Sequence, residues 1–162
     1  MLIDREKELA ELNLLLGEPG AHLLAVSGRR RLGKTTLLLE WARRSDRPYL
    51  YWVASRAPVS FLLRQFSQTI WRQVHPDDVV PATFSFDQWS DAFEQVARLA
   101  GDRQYIVILD EFPYAIEADP ALPSILQNTW DHRLKATPAV VVLCGSHVGM
   151  MERLLHYDAP LF

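Results

Sequence analysis

Two stretches of this chain, Tyr105-Ile106-Val107-Ile108-Leu109 and Ala139-Val140-Val141-Val142-Leu143, are apolar at every position. A strand with one wet face alternates apolar and polar residues, so an unbroken apolar run of this length needs cover on both faces. Between and before these runs lie segments of helical periodicity. Leu9, Leu12 and Leu16 share one face of an opening helix that Asp4 can cap and Gly17 can end. A helix from Lys34 to about Arg44 follows a short buried strand at Leu23-Leu24-Ala25-Val26, and Tyr49-Leu50-Tyr51-Trp52-Val53 reads as another strand. One helix carries Leu63, Phe66 and Ile70; a second carries Phe86, Trp89, Phe93, Val96 and Ala100; a third carries Leu126, Trp130 and Leu134. Ser85 with Gln88 forms a capping-box pattern for the second, with Phe84 and Trp89 spaced as a hydrophobic staple. Strands alternating with helices define an α/β chain with a mainly parallel sheet. The aromatic stripes are expected to face the core.

The stretch Gly28-Arg29-Arg30-Arg31-Leu32-Gly33-Lys34-Thr35 matches G-x-x-x-x-G-K-[ST] in full and sits between a predicted strand and a predicted helix. Gly28 and Gly33 let the backbone turn so that successive N–H groups face phosphate oxygens, and the helix presents its positive end to the same charge. Lys34 is expected to reach the β and γ phosphates of a nucleotide, and the Thr35 hydroxyl to supply an oxygen to Mg²⁺. Thr36 reads more as a helix residue than as a second ligand, and is counted with Gly28 to Thr35 and Ser146 among the expected nucleotide-binding residues. Arg29, Arg30 and Arg31 can hold nucleotide or a partner, or point to solvent. With Arg43, Arg44 and Arg47 they make one basic region.

The run Ile106 to Leu109 ends in Asp110 and Glu111. Asp110 is placed to hold a hydrated Mg²⁺ and Glu111 to orient or deprotonate an attacking water. Two solvated acids at a strand end is the plainer alternative. A third strand end, Leu143-Cys144-Gly145-Ser146-His147, offers Ser146 as a residue that senses the γ-phosphate or, equally, as the N-cap of the segment carrying Met150, Met151, Leu154 and Leu155. Cys144 is most simply a buried small hydrophobe.

Composition narrows the field. The chain has 162 residues, 49% hydrophobic and 23% charged, enough for one core. A formal net charge of -3 argues against whole-surface attraction to nucleic acid or anionic membrane. The single cysteine excludes an intrachain disulfide. No apolar run approaches the roughly 20 residues of a spanning helix, and no signal peptide is visible, so a cytoplasmic location is expected. There is no Asn-Lys-x-Asp sequence to read guanine, which favours adenine. The histidines form no H-E-x-x-H and no ligand cluster, and Cys144 stands where a G-x-S-x-G elbow would need glycine.

Taken together, these residues resemble the archaeal-type ATPases of the STAND branch of P-loop NTPases, relatives of the AAA+ proteins. Ile3 to Leu9 resembles the family's opening motif, Gly28 to Thr35 its arginine-rich Walker A, and Asp110-Glu111-Phe112-Pro113-Tyr114 its Walker B. Cys144-Gly145-Ser146 with Met150-Met151 is similar to its fourth-strand motif, and Ala159-Pro160-Leu161-Phe162 to the approach to a Gly-Arg pair. The resemblance implies an ASCE/AAA+-like three-layer sandwich in which the fourth strand lies between the P-loop strand and the Walker B strand. It implies a fifth strand on the far side of the P-loop strand, and residues 1–162 as a partial ATPase domain truncated before it. It also implies that Ile3 to Arg5 lie against the adenine, and that a helical lid, a winged-helix DNA-binding domain and further C-terminal elements belong to the whole protein.

The expected activity is ATP binding and Mg²⁺-dependent hydrolysis, with Lys34 and Glu111 catalytic and Thr35 and Asp110 on the metal. The competing expectation is an ATP/ADP-dependent conformational switch for DNA or a protein partner with little turnover. A small-molecule kinase shares the P-loop, but Glu111 beside Asp110 fits water activation better. As a fragment the chain is expected to bind nucleotide poorly.

Overall fold

A computed structural model describes residues 6–28 and 33–154. In chain order the elements are α1 (Glu6–Leu16), β1 (His22–Ser27), α2 (Lys34–Arg44), β2 (Tyr49–Val53), α3 (Val59–Val74), α4 (Trp89–Ala100), β3 (Tyr105–Asp110), α5 (Phe112–Ala118), α6 (Leu122–His132), a short 3₁₀ turn (Leu134–Ala136), β4 (Ala139–Gly145) and α7 (Val148–Leu154). The four strands form one parallel sheet in the order β1-β4-β3-β2. β4 therefore lies between β1 and β3, as the family resemblance implies.

The period of two along each strand divides the core into two layers. Ile106 and Ile108 of β3 and Val140, Val142 and Cys144 of β4 face α1 and α2, meeting Leu9, Leu12, Leu37, Leu38 and Trp41. The intervening residues, Tyr105, Val107 and Leu109 with Ala139, Val141 and Leu143, face the α3, α4, α6 and α7 side. Both strands are buried along their whole length, which is why neither shows alternation in sequence. On the second face the aromatic stripes form a cluster, with Phe66 centred 5.1 Å from Trp52 and 5.6 Å from Phe93. These rings contribute dispersion and buried area at the junction of β2, α3 and α4.

Several local expectations are revised. β1 is half-buried rather than buried, because among the described residues it pairs on one side only, with β4. The capping box at Ser85 is not made: α4 begins at Trp89, and Ser85 Oγ donates to the Phe86 carbonyl at 2.8 Å. The amide of Phe86 is taken instead by Ser67 Oγ, at 2.9 Å, while that hydroxyl donates to Leu63 O at 2.6 Å. A buried serine of α3 thus outcompetes the local cap and keeps Phe86 off the helix. Phe84 packs at a tilt against Trp71, centres 4.9 Å apart, and edge-on against Phe86 at 5.3 Å, so it is no staple for Trp89. α6 ends at His132, and Leu134 lies in the 3₁₀ turn beyond it. α5, which sequence periodicity did not mark, starts directly after Glu111.

The basic end of α2 is internally matched. Arg43 and Arg44 donate to Glu40 at 2.7 and 2.9 Å, and the Arg44 hydrogen bond holds the Glu40 carboxyl below its usual range. Such exposed pairs add little stability, but they reduce the positive field there. No helix among the described residues is long and apolar enough to cross a membrane.

Candidate functional site

Parallel strands end on one side of the sheet, and their C-terminal ends gather residues that are far apart in sequence. Here the ends of β2, β3 and β4 and the start of α2 enclose a cleft of about 710 Å³. Its walls carry Gly33, Lys34, Thr35, Thr36, Asp110, Glu111 and Ser146, together with Tyr51, Arg56 and Tyr114. The sequence-derived candidates at positions 33–36, 110, 111 and 146 thus converge on one space. Arg29, Arg30, Arg31 and Leu32 lie outside the described residues, as do Ile3 to Arg5 and Ala159 to Phe162.

α2 begins at Lys34 with Gly33 in the left-handed region, φ 78°, a conformation that glycine adopts without a Cβ penalty. Among the described residues no side chain caps this N-terminus, and no acidic residue occupies its first turn. The amides of the first turn therefore face the cleft, where an anion would complement them. Lys34 Nζ donates to the Gly28 carbonyl at 2.8 Å, turning its charge back toward the end of β1.

Asp110 is only 2% exposed and takes three described donors. Thr35 Oγ1 donates to its Oδ2 at 2.6 Å, the Tyr51 hydroxyl to the same oxygen at 2.7 Å, and the Glu111 amide to Oδ1 at 2.8 Å. Buried carboxylates need such partners. The register explains the Tyr51 contact: Val53 lies beside Asp110 and Tyr51 beside Ile108, so Tyr51 sits diagonally on the face that bears Asp110. Burial, and next its bond to Asp110, push the Tyr51 phenol well above its ordinary value, so it remains a donor. Burial does the same for the Cys144 thiol, with Asp110 adding to it, which suits a protonated core residue rather than a nucleophile.

Glu111 follows in the left-handed region, φ 51° and ψ 37°, an uncommon conformation for a residue with a side chain. That bend ends β3, starts α5 and turns the carboxylate toward β4. Ser146 Oγ donates to Glu111 Oε1 at 3.2 Å. The close approach depends on Gly145, where a Cβ would fall 2.6 Å from Pro113 Cδ and 3.0 Å from Met151 Sδ. The N-cap of α7 is His147, whose Nδ1 accepts from the Met150 amide at 3.0 Å, which leaves Ser146 available to the cleft.

Two residues of the cleft were not singled out by sequence. Tyr51 read as one more apolar strand position, and its contact with Asp110 spans 59 residues of chain. Arg56, just past β2, lies with its guanidinium carbon 5.4 Å from the Tyr114 ring centre and its Nε 3.5 Å from Glu117. Neither has a motif; only the pairing of β2 with β3 could have revealed them.

A phosphate-loop helix start and a strand-end carboxylate, set in this parallel sheet, define a P-loop ATPase domain. The chain belongs to the family of ATPase domains found predominantly in Archaea, whose model matches residues 2–162. It is 28% identical over 163 residues to the Methanocaldococcus jannaschii protein MJECL04, covering 100% of this chain and 34% of that protein. Among solved structures it is similar to the Walker-type ATPase of Pyrococcus abyssi, with a TM-score of 0.67 and 22% identity over 98% of this chain and 50% of that one. It is also similar to the Aeropyrum pernix ORC1 protein, whose structure is a complex with DNA, at a TM-score of 0.65, 19% identity, 94% of this chain and 41% of that one. At these identities the structural likeness speaks for the fold. The chain spans half or less of the length of each of these proteins.

Proposed function

We propose that this chain binds ATP and hydrolyses it with the help of Mg²⁺. The observation that carries the reading is the 2.6 Å hydrogen bond from Thr35, on the phosphate-loop helix, to Asp110, with Glu111 next in sequence on the wall of the same cleft. Gly28 to Gly33 and the first amides of α2 cradle the phosphates, Arg29 to Arg31 lie in the same loop, and Lys34 moves from the Gly28 carbonyl to the β and γ oxygens. Thr35 and Asp110 supply hard oxygen donors. Among the described residues no group of three or more potential metal-binding side chains occurs. That donor set fits a cation completed by water and nucleotide phosphate, as Mg²⁺ commonly is. When bound, Mg²⁺ would offset charge on the transferring phosphoryl group.

Glu111 orients the water and accepts its proton, and Ser146, bonded to Glu111, senses the γ-phosphate. The Ser146–Glu111 bond also favours a second reading, an ATP/ADP-dependent switch in which Glu111 is held until a partner releases it. The ORC1 relative was solved with DNA; DNA or a protein is the proposed partner class, contacted through regions outside residues 1–162. In that reading the chain is part of a larger cytoplasmic ATPase.

The test is hydrolysis and nucleotide affinity measured on the full-length protein. Glu111→Gln should lower turnover by roughly 10²-fold or more with ADP affinity retained, and Lys34→Ala should weaken nucleotide binding. Equal turnover in Glu111→Gln would remove Glu111 from the mechanism, and unchanged affinity in Lys34→Ala would refute the phosphate site.

A further inference from the structure

An ionised carboxylate offers about four lone-pair positions. In Asp110, both positions of Oδ2 are filled, by Thr35 at 2.6 Å and Tyr51 at 2.7 Å, and one of Oδ1 is filled by the Glu111 amide at 2.8 Å. The remaining position is on Oδ1. Among the described residues the thiol of Cys144 on buried β4 also approaches Asp110, as a weak donor that a cation would readily displace.

This accounting bears on which cation the cleft accepts. Mg²⁺ requires near-octahedral geometry and takes carboxylates through single oxygens, whereas Ca²⁺ accepts six to eight oxygens and often takes a carboxylate through both. The Thr35 bond is compatible with either ion, because a hydroxyl can keep its proton on Asp110 while its own lone pair faces a cation. The Tyr51 bond is different. Its hydroxyl comes from β2, beside the Thr35 hydroxyl, and takes the second position of Oδ2. A phenylalanine would fill the same half-buried space, so packing alone does not account for the hydroxyl.

We infer that Tyr51 is a specificity-determining residue: by occupying Oδ2 it denies a divalent cation two-oxygen contact with Asp110 and biases the nucleotide site toward Mg²⁺ over Ca²⁺. The inference rests on the metal-dependent nucleotide site proposed above.

The experiment measures the affinity of the full-length protein for a fluorescent ADP analogue in EDTA, in Mg²⁺ and in Ca²⁺, for wild type, Tyr51→Phe and Tyr49→Phe. Wild type should bind more tightly with Mg²⁺ than with Ca²⁺. In Tyr51→Phe the affinity in EDTA should stay within about twofold, while the Ca²⁺-to-Mg²⁺ affinity ratio rises about fivefold or more. Tyr49→Phe, on the same strand and face, should leave the ratio unchanged. If both metals support binding but the ratio in Tyr51→Phe stays within about twofold of wild type, Tyr51 merely satisfies a buried carboxylate and the inference falls alone. A wild-type protein with no preference between the ions overturns it even if the variant does not fold. Nucleotide affinity indifferent to either metal would remove the proposed function as well.

Discussion

Replacing Gly145 with alanine isolates the contact that brings the end of β4 against the start of α5. The added Cβ would sit 2.6 Å from Pro113 Cδ, 2.8 Å from Pro113 Cγ and 3.0 Å from Met151 Sδ. Carbon atoms in good contact are about 3.5–4.0 Å apart, so roughly 1 Å must be relieved. Met151 can turn aside, since its side chain is flexible. Pro113 cannot, because its ring is closed on the backbone in the first turn of α5. The strand end and α5 must therefore separate. Overpacking of this kind costs about 1–3 kcal/mol, which for a chain of this size corresponds to a fall in Tm of about 2–12 °C. The same separation stretches the 3.2 Å Ser146–Glu111 bond beyond hydrogen-bonding range. Lys34, Thr35 and Asp110 belong to α2 and β3, so nucleotide affinity should change far less than turnover. Thermal melts, ADP titrations and ATP turnover measured on the full-length variant check both parts. A Tm within 1 °C of wild type would refute the steric argument, and a parallel loss of affinity and stability would refute the separation of the two sites.

Ser67→Ala leaves the Phe86 amide without its acceptor and should cost about 1–2 kcal/mol, read as a lower denaturation midpoint. Its selective effect should be faster hydrogen exchange at Phe86 and its neighbours ahead of α4. Tyr105, whose hydroxyl donates to Gln73 at 2.5 Å, has its ionisation raised above the ordinary value of 10.0 by burial. The folded state holds this proton more tightly, so the associated stability is fully present below about pH 10 and is lost as pH rises through the folded value. Tyr105→Phe should therefore show a shallower fall in Tm between pH 9 and pH 11 than wild type, and an identical fall would contradict the assignment.

Much of the sheet was legible because its two central strands carry their environment in their composition: residues 105–109 and 139–143 are apolar throughout and are buried throughout. The start of α2 was legible for a related reason, since Gly33-Lys34-Thr35 announces it in consecutive residues. What escaped was set by competition between distant groups. Ser85 had a suitable local partner, but Ser67 reached the chain first from α3. Tyr51 looked apolar by neighbourhood and became polar in role through β2–β3 register. α5 has too short an apolar pattern to announce itself, and it starts from a bend at Glu111 that no residue type predicts. The cap that the sequence offered to Ser146 is taken by His147, whose ring nitrogen accepts from the Met150 amide.

The pairing of β1 with β4 brings Ser27 directly beside Gly145. Ser27 is the last residue before the phosphate loop, and Gly145 the last before Ser146. The segments that lead into the phosphate loop and to Ser146 thus spring from one rung of one ladder. A small displacement at the root of the loop has only one interstrand step to travel before it alters the seat of Ser146. Under the proposed reading, β4 joins the phosphate-holding and phosphate-sensing ends of the cleft.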